Sequence, residues 1–197
     1  MADFRAIAAA GKTIERVLNA CFAAEQPVRN KVTKAVVVQT EDFDRTTGES
    51  AIPTYAVSIF LYRVEVNRVM RAAWAGVGSF DGQAHLPVDL HFLLTAWAEN
   101  AEHEHQILGK AIQCLDSFPS MSGPVLYPSA GWADTESVQL MIEDVALEPL
   151  MRTFDSLDAD FRLSIPYMAR IVRVDGREIE PPAPATTVVA GIAPGVP

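Results

Sequence analysis

Apolar residues at Phe4, Ile7, Gly11, Ile14, Leu18, Cys21 and Phe22 recur at three- and four-residue steps, predicting an amphipathic helix over residues 3–24 that ends near Gln26-Pro27. Its apolar stripe must dock on another element. A short apolar run at 35–38 reads as a strand, and a polar loop carrying Glu41, Asp42, Asp44 and Glu49 follows over 39–53. Residues 55–66 read as a long strand. The stretch 86–97 is nearly continuous in apolar residues, broken only by Asp89, His91 and Thr95, all in one alternating register. That pattern predicts a central strand covered on one face and at least partly on the other. Between these strands, residues 67–86 form a glycine-bearing connection with Arg68, Arg71 and Trp74, too long for a tight hairpin and expected to move unless a neighbour covers it.

Asn100 is a plausible N-cap for a helix over 101–116 whose stripe is Ala101, His105, Leu108, Ile112 and Leu115. The breakers Pro119, Gly123, Pro124, Pro128 and Gly131 make 119–134 a loop with two aromatics, Tyr127 and Trp132. Residues 138–142 alternate as a strand, and Leu147, Leu150, Met151, Phe154 and Leu157 fall on one short helix face. The last core element spans 161–174, where Pro166 predicts an edge strand or a bulge. Asp175-Gly176 is the clearest two-residue hairpin signal, with Arg177-Glu178-Ile179 as a possible return strand. Residues 181–197 hold no charge and five prolines, so they are expected to be extended or disordered in the free subunit. The reading is therefore an α/β (α+β) domain over 1–176, a mixed sheet of four to six strands flanked by helices, followed by an extended arm over 177–197.

Three ordered segments carry a family resemblance: Ile59-Phe60-Leu61-Tyr62-Arg63-Val64-Glu65-Val66 with Asn67, then Asp89-Leu90-His91-Phe92-Leu93-Leu94, then Leu108-Gly109-Lys110-Ala111. Together with residues 161–167 they make the chain, over roughly 4–175, resemble the N-terminal domain of the cap, or tail-tube terminator, proteins of phage-tail-like contractile injection systems. Phe154 stands where that family is expected to have Trp, and Cys114-Leu115-Asp116 replaces a small, polar, His-bearing run. The resemblance implies a structural cap that ends the tail and stops tube and sheath polymerisation. It also implies a self-assembled ring, six subunits in that family, contacting an inner tube protein and a sheath protein, with no cofactor and no reaction. A head-to-tail connector of another phage-like particle uses the same ring logic, which rests on closed rotational symmetry. A metal-dependent hydrolase using His91, His103 or His105 is the third reading.

Charge and hydropathy narrow the partners. A net charge of −9 argues against nucleic acid, which requires a basic footprint. A hydrophobic share of 49% comes without an apolar run long enough to span a membrane, so spare apolar surface is assigned to other subunits and not to membrane insertion. The acidic start Met1-Ala2-Asp3 lacks the apolar core of a secretory signal, so synthesis and assembly in the cytoplasm are expected. Cys21 and Cys114, both in helical apolar patterns, read as reduced thiols.

Candidate chemistry is sparse. In Glu102-His103-Glu104-His105 the two histidines are two residues apart and diverge on a helix, whereas shared ligation needs a spacing of four. His105 is assigned to the sheet side and His103 to solvent, while His91 reads as a satisfied, half-buried strand histidine. Asp42-Phe43-Asp44 begins like a calcium loop but has Thr47 and Pro53 where the turn glycine and the bidentate acid belong. Gly76-Val77-Gly78 lacks the third glycine of a dinucleotide fingerprint. The candidate oligomer or partner contacts are Arg68, Arg71, Trp74, Tyr127 and Trp132, with Thr186, Val188 and Ala190 in the arm. The charge-free, proline-free stretch 185–190 suits strand addition to a neighbour's sheet edge.

Overall fold

A computed structural model of the chain describes residues 2–43, 52–73, 85–157 and 159–176. Within them the elements run α1 (Ala6–Ala24), β1 (Lys34–Val38), β2 (Ala56–Val66), α2 (Arg68–Ala73), β3 (His85–Trp97), α3 (Ala101–Asp116), β4 (Ser120–Ser122), β5 (Ser137–Ile142), α4 (Leu147–Ser156) and β6 (Ser164–Asp175). The strands form one sheet in the order β1-β2-β3-β6-β5-β4. β1 runs parallel to β2 and the other pairings are antiparallel, so the sheet is mixed as expected.

β3 is central, and its two faces differ. Val88, Leu90, Phe92, Leu94 and Ala96 join Ile14, Leu18 and Phe22 of α1 and Ile107, Ala111 and Leu115 of α3 in the larger core. Leu93 and Trp97 point the other way, into a smaller core with Phe43 and with Leu150 and Phe154 of α4. Leu93 and Leu94 are both fully buried, which is what a strand covered on both faces requires. The Trp97 indole donates to Ser58 Oγ (2.8 Å), and Thr95 and Ser164 hydroxyls pair at 2.7 Å, so the polar interruptions on this face are satisfied from within the sheet. Phe154 is buried edge-on to Phe43 and Phe161.

Several expectations change. α1 begins at Ala6, and Phe4 lies outside it, 78% exposed, because the Asp3 carboxylate accepts from the Arg5 amide and organises a turn there. Part of the 67–86 connection is helix α2, capped by Asn67, whose side-chain oxygen accepts from the Met70 amide. The 119–134 loop contains the short strand β4 and two 3-10 turns. β6 is not an edge: it pairs with β3 and β5, and Pro166 sits one residue beyond the β5 pairing, where no amide is needed. The irregularity in β6 falls instead near Arg170 and Ile171, where the β3 register shifts. On α4 only Leu150 and Phe154 are buried, while Leu147 and Met151 are exposed. No helix among the described residues is long and apolar enough to cross a membrane.

Candidate functional site

Below Leu93 the second face of the sheet turns from apolar to charged. His91 and Asp89 continue down β3, and the irregular register between Leu61 and Arg63 brings Arg63 opposite His91 and Glu65 opposite Asp89. The fifth participant comes from across β6: the Glu143 amide donates to the Pro166 carbonyl (3.0 Å), fixing Glu143 just past the end of β5. Its carboxylate then gathers three groups. His91 Nδ1 lies 2.8 Å from Oε2, the Tyr62 hydroxyl donates to Oε2 (3.2 Å), and Arg63 Nη2 donates to Oε1 (3.2 Å). Arg63 Nη1 also sits 3.4 Å from Glu65. Burial, with the negative Glu143 beside it, pushes the Tyr62 phenol up to about 12.

Two further groups extend this face. Asn67 Nδ2 donates to Asp89 (3.0 Å), tying the start of α2 to β3, and Arg170 reaches the same carboxylate at 3.9 Å. Toward the end of β6, Arg173 Nε lies 3.0 Å from Glu136 and 2.9 Å from Asp175, and His85 Nδ1 lies 2.5 Å from Asp175. The polar residues that carry the family resemblance, Tyr62, Arg63, Asn67, Asp89 and His91, thus converge on one face.

Two clefts flank Arg170. One, about 630 Å³, is lined by Val64, Val66, Arg68, Val69, Asp89 and Arg170. The other, about 350 Å³, includes Trp132, Glu136, Gln139, Arg170 and Arg173. Val64 and Val69 are 47% and 83% exposed, so apolar surface borders the charged groups. β1 covers β2 only as far as Phe60, which leaves the Leu61–Val66 edge without a strand partner among the described residues. Arg63, Glu65 and the register shift make that edge selective about what it pairs with.

Of the contacts expected from sequence, Arg68 and Arg71 are exposed on α2, and Trp132 borders the smaller cleft. Tyr127 sits elsewhere: its amide donates to Thr13 Oγ1 on α1 (2.9 Å) and its carbonyl accepts from the Trp132 indole (2.7 Å). Gly131, at φ 63°, provides the left-handed turn before Trp132. Trp74, Thr186, Val188 and Ala190 lie outside the described residues, as do Asp44 to Ala51, Gly76 to Gly82 and the 177–179 return strand. Arg63, Glu143, Glu136 and Arg170 were not singled out as contacts. Arg63 and Arg170 carry the signal of alternating charges along the strands, which only the sheet order assigns to an uncovered half-face, whereas Glu136 and Glu143, just outside β5, carry no local signal.

The histidine assignments on α3 reverse. His105 is exposed, and His103 is half-buried with Nδ1 3.2 Å from the Tyr55 hydroxyl, because the buried stripe runs through Ile107, Ala111 and Cys114 and so turns position 103 inward. His91 is more buried than expected, 2% exposed, with its hydrogen-bonding partners in place. Among the described residues no three His, Cys, Asp or Glu side chains converge to hold a metal ion.

The profile of the Pvc16 N-terminal domain family matches residues 9–187. The chain belongs to that family. Among solved structures this Pvc16 N-terminal domain is similar to the sheath/tube terminator of PVC, an extracellular contractile injection system, in its extended state, at 15% identity and TM-score 0.54 over 94% of this chain and 63% of that one. It is similar also to the tube-terminating cap of the anti-feeding prophage, at 19% identity and TM-score 0.53 over 96% of this chain and 59% of that one. The chain spans about three fifths of the length of these two proteins. No curated protein matches it.

Proposed function

We propose that this chain caps the tail of a contractile injection system, sitting as a closed ring on the last layer of inner tube and sheath and stopping both from growing. The observation that carries the reading is the family match over 9–187 together with a fold shared with a sheath/tube terminator and a tube-terminating cap. The polar half-face supports it physically. Its charges are paired with one another inside a rigid sheet, which suits a surface that fixes orientation against a partner and excludes wrong ones. A closed ring has one face for the filament and a different one beyond it, which is what termination needs.

In this reading the ring has six copies, Arg68, Arg71 and Trp132 contribute to its contacts, and the protein is made and assembled in the cytoplasm before joining the particle. The 177–197 arm, through Thr186, Val188 and Ala190, adds as a strand to a neighbouring subunit. The protein turns nothing over. Labelling it on purified particles and imaging them tests the proposal: label confined to one tail end is expected. Label along the sheath, or at a junction with a DNA-filled head as for a connector, would overturn it.

A further inference from the structure

The larger core holds a pair of thiols that the capping function does not use. α1 and α3 pack side by side, and an ion pair at one end of the contact fixes their register. Glu25, four residues after Cys21, forms an ion pair with Lys110, four residues before Cys114. The antiparallel register that joins Glu25 to Lys110 therefore sets Cys21 against Cys114. Cys114 is 4% exposed within the core. Cys21 is only partly buried and lines an apolar groove with Val17, Ala20, Ala24, Phe118 and Val125, so one thiol of the pair is reachable from solvent.

We propose that Cys21 and Cys114 form an oxidative crosslinking site that takes a small hydroperoxide through the groove and closes into a disulfide stapling α1 to α3. The Cys21 sulfur attacks the peroxide O–O bond, giving Cys21 sulfenic acid and releasing the other oxygen as water or an alcohol. The Cys114 sulfur then attacks the sulfenic sulfur. The S–S bond forms, the S–O bond breaks, and the hydroxyl leaves as water with the Cys114 proton. In sum, two thiols lose two electrons and two protons to the peroxide. Lys110, held by Glu25, places a positive charge beside the pair. Burial and the contact with Cys21 push the Cys114 thiol up to about 12, so Cys114 is inert on its own and reacts through Cys21.

The test treats the full chain with hydrogen peroxide and reads free thiols, intact mass and non-reduced peptide maps. The site predicts loss of both thiols, a mass lower by two hydrogens, and a Cys21–Cys114 linked peptide, with a melting temperature raised by several degrees and restored by dithiothreitol. Cys114→Ser should stop at a Cys21 sulfenic acid that dimedone traps, and Cys21→Ser should protect Cys114. Two thiols surviving peroxide, Cys21-linked dimers, or a sulfenic acid persisting at Cys21 in the unsubstituted chain would each overturn it. The unsubstituted chain alone decides, so a variant that fails to fold does not weaken the test.

Discussion

His91 Nδ1 and Glu143 Oε2 lie 2.8 Å apart although β6 runs between β3, which carries His91, and β5, which Glu143 follows. The bridge exists because Pro166, in β6, offers a carbonyl to the Glu143 amide where it has no amide of its own to offer. A residue that looks like a strand breaker thus places the carboxylate that organises the polar half-face.

Glu143→Ala should therefore leave Tyr62, Arg63 and His91 without their shared acceptor, at a cost of about 1–3 kcal/mol that comes mainly from the buried His91, since the Arg63 side chain is 45% exposed. Urea unfolding measures this. A loss below about 0.5 kcal/mol, the scale of an ordinary surface substitution, would mean the carboxylate is solvated and does not organise the face.

Leu93→Ala and Leu94→Ala should each cost about 2–5 kcal/mol, since both side chains are fully buried but in different cores. A cost below about 1 kcal/mol at Leu93 would show that α4 and Phe43 do not close the second face.

Tyr62 and Tyr167 both have phenols raised from 10.0 to about 12, chiefly by burial. In the unfolded chain these phenols lose their protons first, so the stability they hold is complete below pH 10 and falls as pH rises toward 12. Unfolding measured stepwise across that window, with tyrosinate absorbance, should show the decline, and Tyr62→Phe with Tyr167→Phe should flatten it. Ordinary titration of both phenols in the folded protein would contradict the assignment.

Truncation after Gly176 should leave the domain folded with its melting temperature nearly unchanged, while weakening co-sedimentation with sheath-bearing particles. Val188→Pro should reproduce much of that loss if its amide pairs with a neighbour. Equal co-sedimentation would make the arm dispensable, and loss of folding would move the domain boundary.

The element pattern was largely legible in the sequence because it rests on local periodicity: the continuous apolar run over 86–97 marked β3 as central, and Asn100 does cap α3, accepting from the His103 amide (2.9 Å). What escaped depended on distant partners. Phe4 fits the α1 period but lies before the helix starts, and of the edge strand or bulge that Pro166 predicts, the edge is ruled out by the pairing of β5 beside it. The half-face was half legible. Tyr62, Arg63, Asn67, Asp89 and His91 stood out through the family resemblance, but Glu143, which joins three of them, lies in a polar stretch with no local signal.

The most direct measurement of the capping account is the distribution of tube and sheath lengths in particles from cells lacking this protein. Termination by a closed ring predicts tubes of irregular and excess length, or particles that fall apart at one end, with uniform length restored by the full chain. Particles of normal, uniform length with an intact end would contradict it.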